Sequence, residues 1–162
     1  MTPRTLLGCG LAALAVTPCI AQLATPRADK MKLMDAPAVK VQDQCIQVGN
    51  KTMPADCNLD PEKSLTARTI IGDTSRLHRL DFPAGVKSPH HNHADEEMFY
   101  ILTGKFRVIA GDQVFELEPG DVLKVPAFVD HEFEALVDSS LLEFGGPGPM
   151  LGQISATEKM GE

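Results

Sequence analysis

From Leu65 to Phe144 the chain is a succession of short apolar or alternating runs set apart by turn-forming residues. The runs are Leu65–Ile71, Leu77–Phe82, Met98–Thr103, Lys105–Ala110, Val114–Leu117, Val122–Val125, Glu132–Val137 and Leu141–Phe144. Gly72-Asp73, Pro83-Ala84-Gly85, Gly104, Gly111-Asp112, Pro119-Gly120-Asp121, Pro126 and Asp138-Ser139-Ser140 punctuate them. Runs of this length bounded by Gly, Pro and Asp predict strands. Gly111-Asp112 predicts a two-residue hairpin turn, because glycine enters positive φ without steric cost. No window between 65 and 144 carries a helical period. The pattern therefore predicts an all-β, antiparallel sandwich or barrel.

The chain before Leu65 has a different texture. Arg4 is the only charged residue before Arg27, and Leu6–Val16 is apolar with many small side chains. Thr17-Pro18 breaks that run, and Cys19 and Ala21 place small residues three and one before a cut. Residues 1–21 thus predict a secretory signal peptide and a periplasmic or secreted protein. The run is shorter than the roughly 20 apolar residues that span a bilayer, so no membrane insertion is expected after cleavage. Acylation of Cys19 is the alternative, and Pro18 directly before it fits that poorly. Residues 22–64 predict an N-terminal lead, flexible over 22–40, followed by a loop that holds Cys45 and Cys57. An even pair of cysteines in an oxidising compartment predicts one disulfide; two free buried thiols are the alternative. Residues 65–145 form the folded domain, and 146–162 a Gly/Pro-rich start to a polar tail with room for one short helix.

Charge narrows the partners. With 15 basic against 22 acidic residues the net charge is −7, which repels phosphate backbones. Tryptophan is absent and there is one tyrosine, so aromatic platforms for single strands are lacking. No nucleic-acid partner is expected.

Chemistry concentrates in the histidines. Those at 91 and 93 are two apart, which puts both side chains on one face of a strand. Glu97 follows at the entry to the next run, and His131 stands where the seventh run begins. Imidazole and carboxylate are the donors that a borderline first-row ion takes. Four such donors on an octahedral ion leave two positions for water or substrate. Taken singly, these histidines read equally well as core residues or as a solvated edge. His90 points away from His91, His78 has no partner along its strand, and Glu96 has the wrong parity to replace Glu97. Asp95 is turn chemistry. Tyr100 is expected to face away from the site. Phe99, Ile101, Phe106, Val108, Leu123, Val125 and Phe133 form candidate walls that are core on any reading. The polar residues within the runs, such as Arg107, Gln113, Glu116, Lys124 and Glu134, suit solvent, and no catalytic acid or base is identifiable.

These residues carry a family resemblance. Gly85, His91, His93, Glu97 and Gly104 stand at every specified position of the first cupin motif. Gly120, Pro126 and His131 resemble the second, with fifteen residues between Gly104 and Gly120. Phe128 replaces the family's usual glycine and Ala135 its frequent asparagine; both positions shape the turn and strand end and leave the donor set intact. The resemblance covers residues 65–145. It implies a cupin jelly-roll β-barrel of the RmlC-like kind and one divalent metal (Fe, Mn, Ni, Zn or Cu) between two sheets, held by His91, His93, Glu97 and His131. It also implies a small-molecule substrate or ligand and, frequently, a homodimer. Secreted germin-like cupins with an N-terminal disulfide are loosely similar around Cys45 and Cys57.

Two functions are compatible with this set. One is a metal-dependent enzyme, foremost an oxidoreductase of dioxygenase or oxidase type, or a decarboxylase, acting on a small organic molecule. The other is a non-catalytic metal- or ligand-binding module. A polar side chain aimed at the open positions of the ion would separate them.

Overall fold

The computed structural model describes residues 29–147 and the backbone of Gln153–Ile154. The expected signal peptide and most of the C-terminal tail lie outside the described residues. From Met31 onward the described residues form one compact unit. Among the described residues no helix is long and apolar enough to cross a membrane.

Among the described residues thirteen strands follow in order: β1 (Ala38–Gln42), β2 (Cys45–Val48), β3 (Lys51–Met53), β4 (Leu65–Ile71), β5 (Arg76–Phe82), β6 (His91–Asn92), β7 (Glu97–Thr103), β8 (Phe106–Ala110), β9 (Gln113–Leu117), β10 (Val122–Val125), β11 (His131–Ala135), β12 (Ser139–Gly145) and β13 (Gln153–Ile154). Two short 3-10 turns, Leu33–Asp35 and Pro61–Lys63, complete the regular structure of those residues. One antiparallel sheet has the order β10-β7-β12-β5-β4-β1-β2-β3, and the other β13-β6-β11-β8-β9. The chain crosses between sheets at nearly every turn from β5 onward. That alternation is the jelly-roll arrangement expected from the resemblance, and it buries one face of each sheet against the other.

All eight runs read from the sequence are strands. The pattern missed β1 to β3. Residues 38–53 were expected as lead and loop, yet β1 pairs with both β2 and β4 and extends the larger sheet. Its alternation is short, with Lys40 between Val39 and Val41, and only Val41 is fully buried. The β1–β2 turn uses Asp43 at φ 49°, a left-handed position that Asp tolerates better than most. Cys45 and Cys57 are joined by a disulfide, tying β2 to the segment after β3.

Strand parity explains the core. In β7, Glu97, Phe99 and Ile101 face inward while Met98 and Tyr100 are exposed, as expected for Tyr100. The seven candidate wall residues are all buried. Phe99 and Phe133 meet across the two sheets at 4.5 Å between ring centroids, and Phe82 meets Phe106 edge-on at 5.2 Å. The β12–β7 register shifts between Ser140 and Leu141. Such a slip re-aims the residues that follow it; here Leu141 and Glu143 point inward.

Gly104 illustrates a position that only glycine fills. Its φ is +81°, and a Cβ there would collide with Ser139 Oγ and the Asp138 carbonyl. Gly120 has φ +97° but open space around it. Gly120→Ala should cost about 1–2 kcal/mol from backbone strain alone. Gly104→Ala should cost roughly 1–3 kcal/mol more from overpacking. Denaturant unfolding of the two variants checks this, and equal losses would contradict the close approach at Gly104.

Candidate metal centre

His91 is supplied by β6, Glu97 by the start of β7 and His131 by the start of β11, with His93 in the short link between β6 and β7. His91 and His131 are direct cross-strand partners, so their side chains are neighbours by register. His93 shares the face of His91, and its carbonyl accepts a hydrogen bond from Phe128 N–H at 2.7 Å. That bond ties the link carrying His93 to the loop leading into His131. Phe128 makes it from φ 64° while its side chain is 67% exposed. A left-handed conformation is the physical reason glycine is usual here, and this chain bears the strain with a phenylalanine.

The four side chains converge. Ring nitrogens of His91, His93 and His131 lie within 4.8 Å of one another. Glu97 Oε1 is 3.2 Å from His93 Nε2, and Oε2 is 3.4 Å from His131 Nε2. Donors bound about 2.0–2.2 Å from a common ion sit roughly 3.0–3.5 Å apart at adjacent positions, so the two Glu97–histidine spacings suit a shared first-row cation; His93, Glu97 and Glu143 form a second group of acceptable spacing. All four residues are buried. His93 Nε2, His131 Nε2 and Glu97 Oε2 have no hydrogen-bond partner. Buried polar atoms are rarely left so, and an unplaced ion is one of the few explanations.

Proton positions agree with this. His91 Nδ1 donates to the Pro89 carbonyl at 2.7 Å, and His131 Nδ1 to the Val129 carbonyl at 2.9 Å. Each ring then presents a bare Nε2 to the centre. His93 differs: Arg76 Nη2 lies 3.3 Å from its Nδ1. A guanidinium has only protons to offer, so in the cation-free state His93 keeps its proton on Nε2, towards Glu97. For His93 to hold a cation through Nε2, its proton would have to sit on Nδ1.

Burial, and then neighbouring positive charge, hold the histidines neutral. The pKa is lowered to about 4 at His91 and about 3 at His93, and it is lowered at His131 as well. Burial, followed by the carboxylate of Glu143, pushes Glu97 up to about 9. Burial also raises Glu143.

Other candidates fall elsewhere. Glu96 is exposed and pairs with Lys124 at 3.5 Å. Asp95 is exposed beside Gly146, and His90 is half-buried outside the cluster. His78 is buried on the inner face of β5, its Nδ1 2.6 Å from Thr69 Oγ1, and burial lowers its pKa to about 4. Arg107, Gln113, Glu116 and Lys124 are exposed, and Glu134 is half-buried. Two interior residues escaped the sequence reading: Arg76 at the start of β5 and Glu143 in β12. Arg76 joins Glu97 and Glu143, and Glu143 and His91 both border a cavity of about 20 Å³. Counting back by twos from Phe82 through Leu80 and His78 would have reached Arg76.

Residues 78–143 match the family model of the cupin domain. No curated protein matches the chain. Among solved structures it is similar to KdgF from a Halomonas species, at 21% identity and TM-score 0.51 over 57% of this chain and 87% of that one. An RmlC-like cupin from Shewanella frigidimarina is 19% identical with TM-score 0.52, over 66% of this chain and 96% of the other. A variant oxalate decarboxylase from Bacillus subtilis is 18% identical with TM-score 0.53, over 64% of this chain and 31% of the other. At such identities the likeness is one of fold.

A cation entering the centre competes with the proton kept by the Glu97–Glu143 pair, not with the histidines. The raised carboxylate pKa means that binding releases a proton below about pH 9. Affinity for a divalent ion should therefore rise with pH between 7 and 9, by up to about tenfold per unit. Calorimetric titration in buffers of different ionisation enthalpy reads the proton directly, and flat affinity with no proton release would contradict the assignment.

Proposed function

We propose that this chain, whose residues 78–143 match the family model of the cupin domain, is an exported, metal-dependent enzyme whose ion is held by His91, His93, Glu97 and His131. The observation that carries this is the set of unpaired donor atoms at the centre: two imidazole nitrogens and one carboxylate oxygen, buried and aimed together. Export is supported by the Cys45–Cys57 disulfide and by the apolar, small-residue N-terminus.

The substrate class follows from the surroundings. A bound divalent ion polarises oxygen atoms, acidifies bound water or, if redox-active, engages dioxygen. The chain's own residues orient the donors, and Phe99 and Phe133 wall the centre with apolar surface that excludes water. Glu143 and His91 border a space of about 20 Å³, enough for one water-sized group. We assign a small organic molecule that meets the ion through oxygen atoms, in a reaction of dioxygenase, oxidase or decarboxylase type. A buried carboxylate beside the donors is the kind of polar group that favours catalysis over storage.

One observation favours a second reading. Each of the four donor residues is at most 7% exposed, which suits a held ion as well as a reacting one. On that reading the protein is a non-catalytic metal- or small-ligand-binding module.

His93→Ala should lower bound metal per chain sharply, measured by elemental analysis, and unchanged content would refute the donor set. Protein reconstituted with Fe(II) should consume oxygen with a member of a panel of catechols, flavonols and dicarboxylates. Absence of turnover with every panel member and every metal would move the assignment to the binding module.

A further inference from the structure

Arg76 is the most deeply buried cation among the described residues, with a side chain 0% exposed. Its Nη1 donates to the Gly146 carbonyl at 2.6 Å, and its Nε and Nη2 reach Glu143 Oε1 at 3.4 and 3.2 Å. Nη2 also donates to Glu97 Oε1. Glu97 thus has one oxygen engaged by the guanidinium and the other, Oε2, unpartnered and facing His131 Nε2.

The backbone is shaped to keep the guanidinium there. Gly145, the last residue of β12, lies against it: a Cβ at that position would come within 3.1 Å of both Arg76 Cζ and Nη2 and 3.3 Å of Glu97 Cγ. A missing side chain where arginine and glutamate meet is a second, independent observation that this contact is built in. The engagement of Nε, Nη1 and Nη2 by protein oxygens also shows that Arg76 is not placed to seize an anionic substrate.

We propose that Arg76, held by Glu143 and admitted by Gly145, is the positioning residue of the metal centre. It grips Glu97 by Oε1 so that Oε2 alone is presented to the cation. Glu97 becomes a bridge between two cations, one the bound ion and the other a fixed guanidinium. Held at Nε and Nη2 by Glu143 and at Nη1 by the Gly146 carbonyl, the guanidinium offers Glu97 Oε1 one N–H from a fixed direction, which a flexible lysine ammonium does not do. The inference rests on the metal-binding reading of the same site.

The test measures Mn(II) and Zn(II) dissociation constants together with the electron paramagnetic resonance spectrum of the Mn(II) form. Arg76→Met combined with Glu143→Gln removes one positive and one negative charge, leaving net charge and all four donors in place. Partners behind a metal's direct ligands are typically worth about 10–100-fold in affinity, and a loss of that size with an altered Mn(II) spectrum is expected. In a Glu97→Gln background the same double change should cost clearly less, because of the donors Arg76 touches only His93 remains, at 3.3 Å from its Nδ1. Two gentler variants keep the test decisive if the double variant fails to fold. Arg76→Lys retains the charge without the fork, and Gly145→Ala displaces the guanidinium while leaving it and every donor in the chain. Each should weaken binding in a protein that still unfolds cooperatively. Unchanged or tighter binding in the folded variants, or an equal loss without Glu97, would overturn the role of Arg76. Wild-type protein that binds neither ion would overturn the metal reading itself.

Discussion

The organising constraint of this molecule is a group of donor atoms held dry between two sheets with nothing of the protein to bind. His93 Nε2, His131 Nε2 and Glu97 Oε2 are buried and unpaired. Leaving a buried polar atom unsatisfied costs about 1–3 kcal/mol. On the reading proposed above, a divalent cation would pair these three atoms at once; His78 Nε2 and Asn92 Oδ1 are buried and unpaired as well. The hydrogen bonds that fix Nδ1 of His91 and His131 on carbonyls make sense in the same terms, since they turn the lone pairs inward.

The jelly roll delivers these atoms by simple register. His91 and His131 are paired across β6 and β11, and Glu97 opens β7 on the facing sheet. The link bearing His93 is fastened to the loop before His131 by the Phe128 amide. Beneath them, Phe99 and Phe133 close the apolar floor, with Phe99 5.7 Å from the His131 ring. On the far side of Glu97 the interior is polar: Arg76 and Glu143 occupy the inner faces of β5 and β12, and His78 stands next along β5. One side of the centre is therefore hydrophobic and the other ionic. Such asymmetry would give a cation held by the proposed donors an apolar side and a charged flank.

Much of this was legible in the sequence because two signals coincide. Period-two alternation located every strand from β4 to β12 apart from the two-residue β6, and the spacing of His91, His93 and Glu97 placed three donors on one rim. His131 entered the set by its place at the head of the seventh run, and the family resemblance then tied it to residues forty positions earlier. The illegible parts have physical causes. β1 to β3 are short, half-exposed strands whose stability comes from pairing with β4 rather than from burying an apolar face. Arg76 and Glu143 sit at inward positions usually read as apolar. In β5 the apolar residues Leu77, Leu80 and Phe82 have mixed parity, so the inward face is ambiguous until a partner strand fixes it. In β12 the register shift after Ser140 sets which of Leu142 and Glu143 faces the core, and no one-strand pattern reveals a bulge in a pair.

The claim on which all of this turns is that one cation sits among four particular side chains. Anomalous diffraction from crystals of protein loaded with Mn(II) or Zn(II) addresses it directly. The account predicts a single strong peak bonded to Nε2 of His91, His93 and His131 and to Oε2 of Glu97, at roughly 2.0–2.2 Å. A peak elsewhere on the molecule with this cluster empty, or an ion bound without Glu97, would contradict it.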